Sequence, residues 1–196
     1  MSNLEPLIGI VIVVAVSILV ILFSTRKIRA KRPAIHRKIA VMEGLRHQIG
    51  RAVEDGTRVH VSLGSGKLID PANTSALVGL SALHRIAQLT SNSDLPPICT
   101  NGNGSFQVLS QDVLNHNTLD TASDASFDPQ SAQLAGVTPF SYALGTLDAM
   151  SDAGVSANVF VGHFGAETGF LCDAAEYKNM HTLGASDSII AQSIFF

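Results

Sequence analysis

The run Leu7–Phe23, LIGIVIVVAVSILVILF, constrains this chain more than any other feature. It carries no charge, and Ser17 is its only polar side chain. As a helix its 17 residues reach roughly 25 Å. Pro6, Ser24 and Thr25 extend the uncharged stretch towards the ~30 Å of a bilayer core. A helix satisfies its own backbone groups, as lipid requires. A cleaved secretory signal would open on basic residues and carry a shorter apolar core with small residues at its end. Here the start, Met1 to Pro6, holds no basic side chain, and Arg26 and Lys27 follow the run closely. A buried core helix is the third alternative. The pattern predicts a transmembrane helix within residues 1–25, with a short N-terminus.

Charge sets the orientation. Arg26, Lys27, Arg29, Lys31 and Arg32, then Arg37 and Lys38, lie just beyond the span. Basic flanks stay in the cytoplasm. The expectation is therefore a single-pass protein of the cytoplasmic membrane, N-terminus out, with a basic neck (26–34) and a cytoplasmic domain (35–196). The lipid bilayer is the first expected partner, and the five residues Arg26–Arg32 are the expected membrane contacts. From Arg26 to Lys67 there are 11 basic and 3 acidic residues, a local net of +8. Beyond residue 67 there are 2 basic and 12 acidic residues, a net of −10. So acidic a domain should be repelled by anionic headgroups and stand off the membrane, and it is not a nucleic-acid binder. A cytoplasmic setting makes Cys99 and Cys172 buried thiols rather than a disulfide.

The domain reads as alternating helices and strands. Ile35, Ile39, Met42, Leu45, Ile49 and Val53 line one helical face. Val59, Val61 and Leu63 alternate as a strand, closed by Gly64-Ser-Gly66. A helix capped at Asn73 or Thr74 runs to Leu89, and Ile98–Thr100 is a short strand. A helix around Phe106–Leu114 precedes a polar stretch, 115–130, expected to be a long surface loop. Residues 132–137 form the third strand, 140–153 a helix and 157–161 the fourth strand. Residues 167–177 form a helix, 181–183 the fifth strand, and 188–195 a last helix or strand. Strands separated by helices of this length make βαβ units. The fold class is α/β: three layers with a mainly parallel sheet of about five strands. Strand order is not readable from the pattern.

In such sheets ligands gather beyond the carboxyl ends of the strands. The candidate ligand residues are therefore Gly64, Ser65, Gly66, Asn101, Gly162, His163, Gly165 and Ser186, in glycine-rich strand-end loops that also fit ordinary turns. Neither nucleotide motif is complete. A phosphate loop needs Gly where Val61 stands and Ser or Thr where Leu68 stands, and the dinucleotide pattern meets Ile69 in place of its third Gly. His163 and Glu167, four apart, are candidates for an acid/base pair; His181, Cys172 and Asp187 are further groups for the same region, though no spacing demands that they be near. His60 faces away from Val59 and Val61, and Cys172 reads as core. Asp120, Asp124 and Asp128 read as a solvated loop rather than a calcium site. No metal site and no cofactor class is indicated.

Several blocks together carry a resemblance: Arg58–Gly66, Ser110–Leu114, Phe127–Pro129, Pro139–Ala143, Ala157–Gly165, Glu167–Leu171 and Gly184–Asp187. In this order they resemble an uncharacterised bacterial and archaeal family of membrane-anchored α/β proteins, domain of unknown function 6754. The resemblance covers about residues 35–190. It implies an N-terminal membrane helix before an α/β region and brings no activity or catalytic residue with it. It also implies that members continue past the Gly184–Asp187 block. A chain ending at Phe196 is then expected to be a truncated or split product, or to have its C-terminus buried by a partner.

Three functions follow. The first is a membrane-tethered binding or assembly module, a homo-oligomer or a partner of other membrane-complex subunits, with Ile194–Phe196 as a contact. The second is a small-molecule domain, binding a nucleotide-like ligand or enzymatic, that uses the strand-end loops. The third is a structural accessory subunit. The sequence leans away from an enzyme.

Overall fold

The computed structural model describes residues 4–24, 40–66, 74–120, 127–151 and 154–196, the side chains of 4–7, 23–24, 40–42 and 120 aside. The neck residues Arg26, Lys27, Arg29, Lys31 and Arg32 lie outside the described residues. The chain forms two compact units, 1–39 and 40–196.

The first unit contains helix α1 (Leu4–Ser24), 21 residues, with every described side chain from Ile8 to Leu22 exposed. Among the described residues no helix is long and apolar enough to cross a membrane.

The second unit is a three-layer α/β fold. Its elements are α2 (Ala40–Glu54), β1 (Arg58–Gly64), α3 (Thr74–Leu89), β2 (Ile98–Asn101), α4 (Gly104–Asp120), β3 (Ala132–Leu134), α5 (Pro139–Ser151), β4 (Val155–His163), α6 (Thr168–Tyr177), β5 (His181–Ser186) and α7 (Ile189–Phe195). All five strands are parallel, in the order β3-β2-β1-β4-β5. The chain winds outward from β1 to β3, crosses back through α5, and continues from β4 to β5.

The two faces of the sheet differ in kind. Val59, Val61 and Leu63 of β1 join Cys99, Val159 and Val161 under α2, α3 and α4, where Ile49, Leu83 and Phe106 close the layer. On the other face Phe160 and Phe164 pack with Tyr142 of α5, Leu171 of α6 and Ala191 of α7. Period-two alternation in β4 sends Val159 and Val161 to the first set and Phe160 to the second.

Four elements depart from the sequence reading. The expected loop 115–130 is helical as far as Asp120. There Leu114 is buried and the Thr118 hydroxyl bonds back to the Leu114 carbonyl at 3.0 Å, so one anchored face keeps a polar segment helical. Residues 121–126 lie outside the described residues, and Pro129–Ser131 is a 3-10 turn whose Asp128 carboxylate accepts the Gln130 N–H at 2.9 Å. Gly162 and His163, read as loop, end β4, and Gly184–Ser186, read as loop, end β5. Pairing with the neighbouring strand extends both: Phe160, Val161 and Gly162 lie opposite Gly184, Ala185 and Ser186. The third strand, in contrast, stops at Leu134 rather than 137.

The C-terminus also differs. Phe195 stacks on Phe160 with centroids 6.1 Å apart, filling the space over Gly184, so it is a packing residue and only Phe196 is fully exposed. Cys172 is half-buried rather than core, and burial raises its thiol pKa. Cys99 is fully buried and its thiol is pushed up to about 12 by burial.

Candidate functional site

Strand order decides where a site can form. From β1 the chain proceeds to β2 on one side, and from β4 to β5 on the other. Loops leaving β1 and β4 therefore diverge, and the crevice between their carboxyl ends is where ligands settle in sheets of this type.

The backbone there is tightly joined. Gly64 (φ 76°) lies opposite His163 across a register shift, and a Cβ on Gly64 would strike the His163 carbonyl. A Cβ on Gly162 would strike the Leu63 carbonyl. These two glycines let β1 and β4 close on each other, so strand packing already explains both. The Ser65 N–H donates to the His163 carbonyl at 2.9 Å, and the Gly102 N–H to the Gly64 carbonyl at 2.9 Å. Ser65 is thus held between the ends of β2 and β4.

His163 Nδ1 lies 2.8 Å from Asp187 Oδ1, with the two side chains 42% and 35% exposed. The pairing follows from register: Gly162 is opposite Ser186, so the next residue of each strand end meets its neighbour. The expected pairing of His163 with Glu167 does not form. Glu167 is buried, and its carboxylate turns back to accept the Gly165 N–H at 2.8 Å. Thr168 Oγ1 donates to the Gly165 carbonyl at 2.7 Å, so Gly165 and Glu167 brace the entry to α6. Ser186 accepts the Ser188 N–H at 3.2 Å and starts α7 in the same way.

Asn101 ends β2 but points into the interior. It is fully buried, donates to the Gln133 carbonyl at 3.3 Å and accepts from Ser110 at 3.1 Å. Its hydrogen-bonding capacity serves the fold. His181 starts β5 at the opposite edge from His163, and Cys172 lies on α6 beyond the strand end. Among the described residues no cluster suits a metal ion.

One participant has no signature in the sequence. The Tyr142 hydroxyl, fully buried on α5, accepts the Gly64 N–H at 3.1 Å and hydrogen-bonds Ser62 Oγ. Burial pushes it up to about 12, so it stays a neutral phenol holding the end of β1. A polar ladder continues inward. Thr100 donates to Ser62 at 3.2 Å and lies 2.9 Å from His60 Nε2, while His60 Nδ1 lies 3.0 Å from Asn158 Oδ1. Burial lowers the His60 pKa to about 4, against a smaller upward pull from Asn158, so His60 is neutral near pH 7.

Two open clefts lie at the amino edge instead. One is bordered by Thr90, Asp94, Pro96, Asn117 and Asp128. The other, about 280 Å³, is bordered by Gln48, Arg51, Ser156, Lys178 and His181. Arg51 in the last turn of α2 and Lys178 at the end of α6 complement the negative ends of those helices, a sufficient reason for their placement. The carboxyl edge is the better candidate because it joins a half-exposed histidine–carboxylate pair to a switch in strand order.

A family model described as a domain of unknown function (DUF6754) matches residues 2–194. The chain belongs to that family. The resemblance carried by the sequence blocks is thereby borne out, and family membership brings no activity with it. No curated protein and no solved structure matches the chain.

Proposed function

We propose that this family member is a single-pass membrane-anchored binding module that takes a small polar ligand at the carboxyl edge between β1 and β4. The anchor reading rests on the uncharged run Leu7–Phe23 and on an α1 backbone of 21 residues, about 31 Å long. The basic neck, with Arg26, Lys27, Arg29, Lys31 and Arg32, would contact anionic headgroups and keep the folded part in the cytoplasm.

The ligand reading rests on one observation, the His163–Asp187 pair at the strand-order switch. With Nδ1 held by Asp187, the imidazole has Nε2 left to meet a hydroxyl or an anionic oxygen, and it can move a proton there. Ser65, whose N–H donates to the His163 carbonyl, adjoins the same strand end.

Native mass spectrometry of the gently extracted full chain tests this. A repeated adduct of small-molecule mass that His163→Ala and Asp187→Asn both remove is the expected result. Bare protein in every charge state would overturn it, and a fixed multiple of bare chains would favour self-assembly.

A further inference from the structure

We infer that the helix tips around the carboxyl edge, outside the β1–β4 crevice, are a docking surface for the bilayer, contrary to the stand-off expected from the net charge of the domain. Every helix from α3 to α7 follows a strand, so each begins at this edge. Exposed large apolar side chains gather in those first turns: Leu77 and Val78 of α3, Phe140 of α5, Phe170 of α6, and Ile189 and Ile190 of α7. Phe140 and Phe170 are 71% and 55% exposed, and their rings lie 6.3 Å apart with no deeper layer to fill. The residues come from helices on both faces of the sheet. They are spread over helix tips on both faces, which suits a broad fluid surface better than a single protein segment.

Charge is arranged the same way. Among the described acidic residues past 67, Asp94 and Asp128 lie at the amino edge, Asp148, Asp173 and Glu176 in the second half of their helices, and Asp112 midway along α4. Of these described residues, Glu167, buried, and Asp187, paired with His163, stand at the carboxyl edge. Most of these described acidic residues therefore lie away from this edge. The positive ends of the helix dipoles point toward it, which favours anionic headgroups. The inference rests on the anchored reading in one respect: a tether raises the local concentration at the bilayer, so weak docking suffices.

The chain contains no tryptophan, so each single substitution supplies the sole indole. The full chain is reconstituted into phosphatidylcholine–phosphatidylserine vesicles with and without brominated phosphatidylcholine. Phe140→Trp and Phe170→Trp report the carboxyl edge, Tyr177→Trp the far end of α6, and Val14→Trp the apolar helix. All four positions are exposed. Docking predicts blue-shifted emission, and quenching by bromine, for Phe140→Trp and Phe170→Trp, at the depth of about 5–10 Å that interfacial side chains reach. Tyr177→Trp should show neither. Unquenched emission from both edge probes overturns docking. If Val14→Trp is quenched at the same time, the anchor survives that failure. Quenched edge probes beside an unquenched Val14→Trp support docking and overturn the anchor. Blue-shifted but unquenched edge probes also overturn docking, and mean that protein covers this edge.

Discussion

The two faces of strand β1 hold the same backbone by different physics. Toward α3 it presents Val59, Val61 and Leu63, all essentially without solvent contact and surrounded by aliphatic side chains. Toward α5 it presents His60 and Ser62, equally buried but tied into a ladder with Asn158, Thr100 and Tyr142. The first face is stabilised by area removed from water and by close packing, neither of which depends on pH. The second is sound only while every polar group keeps its partner and His60 stays neutral. The contrast teaches that a fully buried strand can still have one face on which protons matter.

The largest expected effect tests the apolar face. Leu63→Ala should cost about 2–5 kcal/mol, because the cavity lies between a sheet and α3 that cannot collapse freely. Urea denaturation at neutral pH and again near pH 5 measures it, and the loss should be the same at both.

The next effect belongs to the polar face. His60 has a folded pKa of about 4 against 6.5 when unfolded. The unfolded chain therefore binds the proton first, and stability is fully present above pH 6.5. It declines as pH falls from 6.5 toward 4, by about 3 kcal/mol at roughly 1.4 kcal/mol per pH unit. Denaturation midpoints across that window should show the slope, and His60→Gln should flatten it. A slope unchanged in the variant would assign the effect elsewhere.

Tyr142→Phe removes one hydroxyl from the ladder and leaves the Gly64 N–H and Ser62 Oγ without that partner. A loss of about 1–3 kcal/mol is expected. It should come with faster hydrogen exchange at Gly64, while the Val61 amide on the same strand is less affected. Equal acceleration at both would mean that the hydroxyl supports the whole strand rather than its end.

The smallest effect on stability is expected at the candidate site. Asp187→Asn breaks a pair that is partly in solvent, so the cost should stay below about 1 kcal/mol. Loss of the bound adduct without loss of fold would separate recognition from stability. A large destabilisation would make the pair structural.

Much of this architecture was legible in the chain. Local patterns carried the apolar run, the alternation in Val59–Leu63 and the helix stripe from Leu77 to Leu89, because period and capping are properties of neighbouring residues. Family membership was likewise written in the order of short blocks. Local pattern failed where a distant strand or layer decides: at 115–120, where one buried face keeps a polar segment helical, and at 162–163 and 184–186, where strand pairing continues past a glycine.

The candidate site was half legible. His163, Ser65 and Gly66 stand where strand-end logic puts them. Asn101 turned inward because Ser110 and the Gln133 carbonyl claim it, and Glu167 turned back to its own loop. Asp187, the partner of His163, lies 24 residues away, just past the end of β5, a strand whose position no spacing reveals. Tyr142 reaches Gly64 across 78 residues for the same reason. The sequence alone determined the elements, the polarity of charge along the chain and the family. Tertiary structure alone decided the strand order β3-β2-β1-β4-β5, and with it which side chains meet at the carboxyl edge. The order of parallel strands is set by how helices pack over both faces of the sheet, an interaction among parts remote in the chain that no local period encodes.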